Sequence, residues 1–408
     1  MNMRVGIEKI GVYPGTLSLA MADLCAVRGT DPANLRDSMM IDERSVNPLW
    51  EDPVTMAVNA AQSILTEEDR DRIELLIVAS ESGVDQEKPI STWVQRYLGV
   101  NPHCRNFEIK HACYGGTAGL QMAASWIASG LNRGAKALIV ATDQSRSHFG
   151  KPWEYVMGAG AAAVLVSAEP RIVELELGRS GYWTEEVSDL TRPTSKVETG
   201  NSETSLVSYI EALDNAFLHF LERTPEAADF ESYFQKNIYH APFGGMTFRA
   251  HSALLRRFRK LSRAEMREHF ERRTLPSLAY LRRMGGTYSA STFIGLLGLV
   301  DTCPDINPGE RISMFSYGSG CCSEFYSVRL CEGAREAAAL ARVGVTLDGR
   351  KPLSVREYEQ VESARARLVD CGDYEVPRDG WYDAAYRANR RLVFLGMENY
   401  YRQYEWSA

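Results

Sequence analysis

Short apolar runs of strand length alternate with amphipathic segments through the first 170 residues. That rhythm restricts the chain to folds in which a mainly parallel sheet is covered by helices. Residues 73–79 read as a buried strand, with helices at 54–65 and 93–98 around it. A strand at 107–109, a helix at 117–129 stopped by Gly130, and strands at 137–142 and 161–167 continue the pattern. The polar segment 191–203, with Arg192-Pro193 and Gly200, has the composition of a long loop and marks a junction between halves 1–190 and 191–408. The second half repeats the layering: a helix at 206–221, a strand ending at Tyr239-His240, helices across 248–284, a helix at 291–299, and strands at 312–317 and 323–330. No strict sequence repeat is visible, so any duplication is structural. Segments 334–343 and 355–369 read as surface helices, and the aromatic tail 392–406 as packed.

With 408 residues and 45% hydrophobic content, the chain can build two cores of roughly 200 residues each. A net charge of −7 argues against nucleic-acid binding as the main activity, which ordinarily needs a basic excess or stripe. No apolar run approaches membrane-spanning length, and the first residues lack the apolar stretch of a secretory signal, so the expectation is a cytoplasmic protein with no membrane partner. The eight cysteines include no Cys-x-x-Cys pair, which points away from a metal site and from a disulfide framework.

Cys113, in Ala112-Cys113-Tyr114-Gly115-Gly116, stands between a strand and a small-residue helix start. Backbone N–H groups there stabilise a thiolate or an oxyanion, and the glycines let a substrate reach the sulfur. A lone cysteine is more often a packing residue, but three other clusters end apolar runs in the same way, where active-site groups of α/β sheets collect. Glu81, in Ser80-Glu81-Ser82, is a candidate acid or base if burial raises its pKa, and otherwise a loop carboxylate. His240, in Tyr239-His240-Ala241-Pro242-Phe243-Gly244-Gly245, is placed to support the thiolate or protonate a leaving group, or else is a packed ring. Ser316-Tyr317-Gly318-Ser319-Gly320 is either an oxyanion-binding turn or a tight hairpin.

Together these stretches, with Ala141-Thr142-Asp143, Gly158-Ala159-Gly160-Ala161 and Arg192-Pro193, resemble 3-hydroxy-3-methylglutaryl synthases, condensing enzymes of the thiolase-fold superfamily, in both order and spacing. The resemblance spans almost the whole chain. It implies an α/β, thiolase-like fold of two pseudo-duplicated halves in α-β-α-β-α layers, and a homodimer. It also implies Cys113 as the nucleophile that takes an acetyl group, Glu81 as the acid/base that makes its enolate, and His240 beside the acceptor thioester. Gly318, Ser319, Tyr317 and Ser205 match oxyanion or substrate contacts. Substrates would ride on phosphopantetheine, with no tightly bound cofactor.

Departures narrow the reading. Family members that use coenzyme A bind it partly through lysines just after the histidine, where this chain has Gly245 and Arg249. Loss of a nucleotide anchor suits substrates carried on donor and acceptor acyl carrier proteins, as in the subfamily that installs β-branches during polyketide synthesis, rather than the mevalonate-pathway enzyme. Arg28 and Arg249 are candidate carrier or pantetheine contacts, although a helix-end arginine such as Arg28 is commonly just exposed. Gly286 replaces an asparagine that helps hold the acceptor, and Val156 a substrate-contacting threonine, which would enlarge the site or weaken it. A ketoacyl synthase of the same fold and a non-catalytic carrier-docking subunit are the competing readings; Glu81 and the retained reactive set speak against them.

Overall fold

The computed structural model describes residues 4–146, 148–378, 380–386 and 389–407, the side chain of Asn34 excepted. Nine strands form the main sheet: β1 (Gly6–Tyr13), β2 (Ile73–Ala79), β3 (Arg105–Ile109), β4 (Lys136–Gln144), β5 (Ala159–Ser167), β6 (Val173–Thr184), β7 (Lys236–Tyr239), β8 (Arg311–Gly318) and β9 (Cys322–Leu330). Their order is β7-β8-β9-β6-β1-β5-β4-β2-β3.

The order contains one pattern twice. In the first set β2 runs parallel to β4, which is antiparallel to β5, which is antiparallel to β1; in the second, β7, β8, β9 and β6 stand in the same relations. The sets meet where Gly6 pairs with Glu174 and Ile7 with Val173. A Cβ at Gly6 would lie 2.1 Å from the Val173 carbonyl oxygen, so the seam requires glycine. Strand β6, which a division at 190/191 leaves in the first half, pairs along most of its length with β9 of the second set.

Helices follow the same duplication. Helix α1 (Pro53–Gln62) comes after β1 and helix α3 (Ser202–Arg223) after β6; α2 (Gly115–Ala128) and α5 (Ser291–Thr302) each follow a single 3₁₀ turn. Helix α1 starts at a capping box between Asp52 and Thr55, with Pro53 at its first position. Residues 291–300 of α5 are all buried, the signature of an interior layer rather than a surface helix. The inner face of the sheet packs with α2 and α5 into one apolar cluster. The outer face of the first set packs under α1 and helix Ile90–Leu98, and that of the second set under α3 and helix α4 (Gly244–Leu255). The result is the five-layered α-β-α-β-α arrangement.

Several elements differ from expectation. Strands β1 and β6 were not among the expected ones, although β6 opens with the alternation of a half-buried strand. Segment 334–343 splits into helices Ala334–Ala339 and Val343–Asp348, because Arg342 between them is left-handed at φ 50°. Segment 191–203 is not a plain linker: Leu190–Thr191 pairs with Thr199–Gly200 and α3 begins at Ser202. The aromatic tail packs as expected, as a hairpin of Leu392–Glu398 and Tyr401–Trp406.

Candidate active site

Parallel register brings the reactive residues to one end of the sheet. Ala79 pairs with both Ile109 and Ala141, so Glu81 and Asp143 lie at equal distances past that row, and the Cys113 turn follows β3. On the other set Tyr239 pairs with Phe315, and His240 follows at once, its N–H donating to the Phe315 carbonyl at 2.7 Å. Carboxyl ends of parallel strands are where open α/β sheets build their sites.

Cys113 lies in the 3₁₀ turn Ala112–Tyr114. Glycines let α2 lie flush behind it: Cβ atoms at Gly115 and Gly119 would come within 3.2 Å of Ala79, and of Ile139 and Ile77, respectively. The thiol donates to Glu81 Oε1 at 3.2 Å. Both residues are half-buried, reachable from solvent yet walled by protein.

The Glu81 N–H donates to Asp143 Oδ1 at 2.9 Å, and Ser80 and Ser82 hydroxyls donate to the same oxygen at 3.2 and 2.8 Å. Arg192 donates to the Glu81 carbonyl and pairs with Glu198 at 3.0 Å. Burial pushes the Glu81 carboxyl up to about 7, against the pull of the Arg192 guanidinium and the Cys113 thiol. Burial, then the Glu81 charge, raises both Cys113 and Asp143 well above their ordinary values. Loss of hydration and the neighbouring carboxylates thus work against a thiolate at this helix N-terminus.

His240 is 1% exposed, and burial lowers it to about 3. Its Nδ1 lies 2.8 Å from Ser291 Oγ, which also accepts from the Ala241 N–H at 3.3 Å. With that N–H on the oxygen, the Ser291 proton is directed at Nδ1, which leaves the neutral ring's proton on Nε2. The Tyr209 hydroxyl donates to the His240 carbonyl at 2.7 Å.

The remaining expected residues divide. Gly318 packs on the Cys113 turn, where a Cβ would meet the Tyr114 nitrogen at 2.6 Å and the His111 carbonyl oxygen at 2.7 Å. Past it the Ser319 turn joins β8 to β9, so the glycine-rich motif is a hairpin as well; the Gly320 N–H is committed to Asp189 at 3.1 Å and that of Cys321 to Glu185 at 2.6 Å. Tyr317 does not offer its hydroxyl to a substrate: it bonds Asp189 at 2.8 Å and Ser208 at 2.9 Å, and so steadies the carboxylate that grips Gly320. Ser205 lies half-buried in the first turn of α3. Arg249 is exposed on α4 and forms no ion pair among the described residues. Arg28 is neither exposed nor free, since its guanidinium binds both oxygens of the fully buried Glu154 at 2.8 and 3.0 Å and Glu359 at 2.7 Å.

The departures have structural causes. A Cβ at Gly245 would lie 1.8 Å from the Ser38 carbonyl oxygen, because helix Pro32–Met39 packs on this turn of α4. A lysine cannot stand there while that helix is in place. Gly286 does not enlarge the site either, for its Cβ direction is closed by the Pro242 carbonyl oxygen at 2.7 Å and Val156 oxygen at 3.1 Å. Val156 itself joins an apolar cluster with Phe243.

Among residues the sequence reading did not assign to the site, Asp143, Asp189, Arg192, Glu198 and Tyr288 surround Glu81 electrostatically or by hydrogen bonds. Asp143 was findable from the matching ends of 73–79 and 137–142, whereas the loop residues carry no periodic signal.

Residues 2–170 match the family model for the hydroxymethylglutaryl-coenzyme A synthase N terminal region and residues 252–376 that for the C terminal region. The chain is 38% identical to the polyketide biosynthesis 3-hydroxy-3-methylglutaryl-ACP synthase PksG of Bacillus subtilis (strain 168), covering 98% of this chain and 99% of that protein. It is 35% identical to the hydroxymethylglutaryl-CoA synthase of Enterococcus faecalis, over 88% and 91%. Among solved structures, the curacin biosynthetic pathway HMG synthase in complex with acetyl donor-ACP superposes with a TM-score of 0.92 at 39% identity, over 99% of this chain and 100% of that one. MvaS in complex with 3-hydroxy-3-methylglutaryl coenzyme A gives 0.89 at 30%, over 100% of both. The duplicated strand order is thus the thiolase-like fold, and the chain belongs to the hydroxymethylglutaryl-coenzyme A synthase family of carbon–carbon bond-forming acyltransferases.

Proposed function

We propose that the protein condenses an acetyl group from an acetyl-carrier protein with the β-ketone of a β-ketoacyl chain on a second carrier protein, installing a polyketide β-branch. The observation that carries the chemistry is the thiol–carboxyl pair at 3.2 Å. Cys113 adds to the donor thioester, its proton passes to the departing carrier thiol, and acetyl-Cys113 forms. The Glu81 carboxylate then removes a methyl proton. The resulting enolate attacks the acceptor ketone, aided by a hydrogen bond from His240 Nε2; the new alkoxide recovers a proton from Glu81, and water cleaves the thioester to Cys113. The packing of Gly318 on the Cys113 turn supports a role for backbone donors at Gly318 and Ser319 toward the oxyanions.

Preference for carrier proteins over coenzyme A is supported by the helix that occupies the lysine position beside Gly245 and by the names of the relatives matched over nearly their whole length. A homodimer is supported by β3, an uncovered sheet edge whose Phe107 and Ile109 are half-buried beside the core. No described helix is long and apolar enough to cross a membrane, and the charge of −7 suits neither nucleic acid nor an anionic surface; we place the enzyme in the cytoplasm.

The test loads acetyl and acetoacetyl groups on carrier proteins and on coenzyme A, and weighs the products. An intact 3-hydroxy-3-methylglutaryl adduct formed faster on carriers is expected; Cys113→Ser abolishes acetylation, and Glu81→Ala acetylates without condensing. Faster turnover on coenzyme A would return the reading to the mevalonate type, and normal condensation by Glu81→Ala would remove the role given to Glu81.

A further inference from the structure

Tyr288 opens the 3₁₀ turn Tyr288–Ala290, the counterpart in the second set of the Cys113 turn. The two turns carry the same backbone anomaly, a left-handed residue at φ 39° (Ala112) in one and φ 51° (Tyr288) in the other. They also meet: a Cβ at Gly116, at the start of α2, would lie 3.3 Å from the Ser289 carbonyl oxygen. The tyrosine side chain is 5% exposed, and its hydroxyl is buried with no hydrogen-bond partner among the described residues. Around it stand Glu198, Arg192, Glu81 and Asp143, the groups that surround the catalytic carboxyl. Arg192 holds the Glu81 carbonyl, and its Nε is likewise buried without a partner among the described residues. A buried phenol with no partner among the described residues is a cost to the fold that a ligand taking the bond would remove.

We propose that Tyr288 is a further catalytic residue, whose hydroxyl donates a hydrogen bond to the carbonyl oxygen of the acyl group on Cys113. The inference rests on the function proposed above. When Glu81 takes the methyl proton, the C–H electron pair becomes the C=C bond of the enolate and the former carbonyl π pair settles on oxygen, which the phenol stabilises without giving up its proton. Burial, opposed by Arg192, lifts the Tyr288 hydroxyl well above its ordinary value, so it stays a donor throughout the working range. No additional reactant is required.

The test follows loss of deuterium from a trideuterated acetyl group on Cys113, by mass spectrometry, with S-acetyl-pantetheine as donor and no acceptor present. Tyr288→Phe is expected to load acetyl to the parent's extent, to melt no lower because no internal hydrogen bond is lost, and to wash out deuterium about a hundredfold more slowly. Washout within about twofold of the parent overturns the proposal, given the size of a lost oxyanion donor. So does a melting point lower by several degrees or failure to fold, which would show that the hydroxyl serves the structure. If the unaltered protein loads no acetyl group, the proposed function itself fails and takes this inference with it.

Discussion

Replacing Glu81 by glutamine swaps a carboxyl that titrates inside the fold for an amide of the same shape. Burial first, opposed by Arg192 and the Cys113 thiol and reinforced by Glu198 and Asp189, raises the native carboxyl from 4.5 to about 7. The unfolded chain releases that proton near 4.5, so between pH 4.5 and 7 the native state holds more protons than the unfolded one. The stability this gives is fully present below the lower value and lost as pH rises through the upper one. At about 1.4 kcal/mol per tenfold change in proton affinity, the difference is about 3 kcal/mol. Solvent reaching the half-buried carboxyl reduces this to ~1–2 kcal/mol. Glu81→Gln has no such contribution, and it also relieves Asp143, whose carboxyl burial and then the Glu81 charge push well above its ordinary value. Urea unfolding at pH 5 and pH 8 is the assay: the parent should lose ~1–2 kcal/mol more than the variant between them, whatever the variant's activity. Superimposable pH dependences would refute the idea that the site holds its base at the expense of the fold.

Two further substitutions probe the surroundings. Gly286→Asn restores the family residue, yet its Cβ would press on the Pro242 and Val156 carbonyl oxygens; thermal melting should register a loss of about 1–3 kcal/mol with slower condensation, and a gain in both would show that the loop has room. Arg28→Ala strands the buried Glu154 carboxylate with the Gly150 N–H as its remaining donor among the described residues, so denaturant unfolding should show a loss of about 3 kcal/mol that Glu154→Gln in the same chain largely restores; an unchanged midpoint would rule out a structural role for the pair.

Much of the site was legible because it lies where strands end. Glu81, Cys113 and His240 each follow an apolar run, and parallel register converts that shared position into proximity. What escaped depends on contacts remote in sequence. Arg192 and Glu198 belong to a polar loop that reads as a linker, yet that loop folds over Glu81. Tyr317 sits in the right motif but spends its hydroxyl on Asp189 and Ser208. Arg28 ends its helix as expected, and only the fold supplies Glu154 from 126 residues away. Gly245 shows as a missing lysine; that residues 32–39 close over it is written nowhere in its own neighbourhood.

The cap of helix α1 has a bearing on how the molecule is made. Asp52 accepts from Arg402 and Tyr404 at 2.8 and 2.7 Å, and Asn59 exchanges hydrogen bonds with the backbone of Leu392. On a ribosome, residues 52–59 emerge more than three hundred positions ahead of the partners that complete them. The early-made layer must wait with its outer surface open until the last hairpin has left the exit tunnel, and an incomplete chain that stops short of residue 392 keeps that surface exposed to any other apolar sequence nearby.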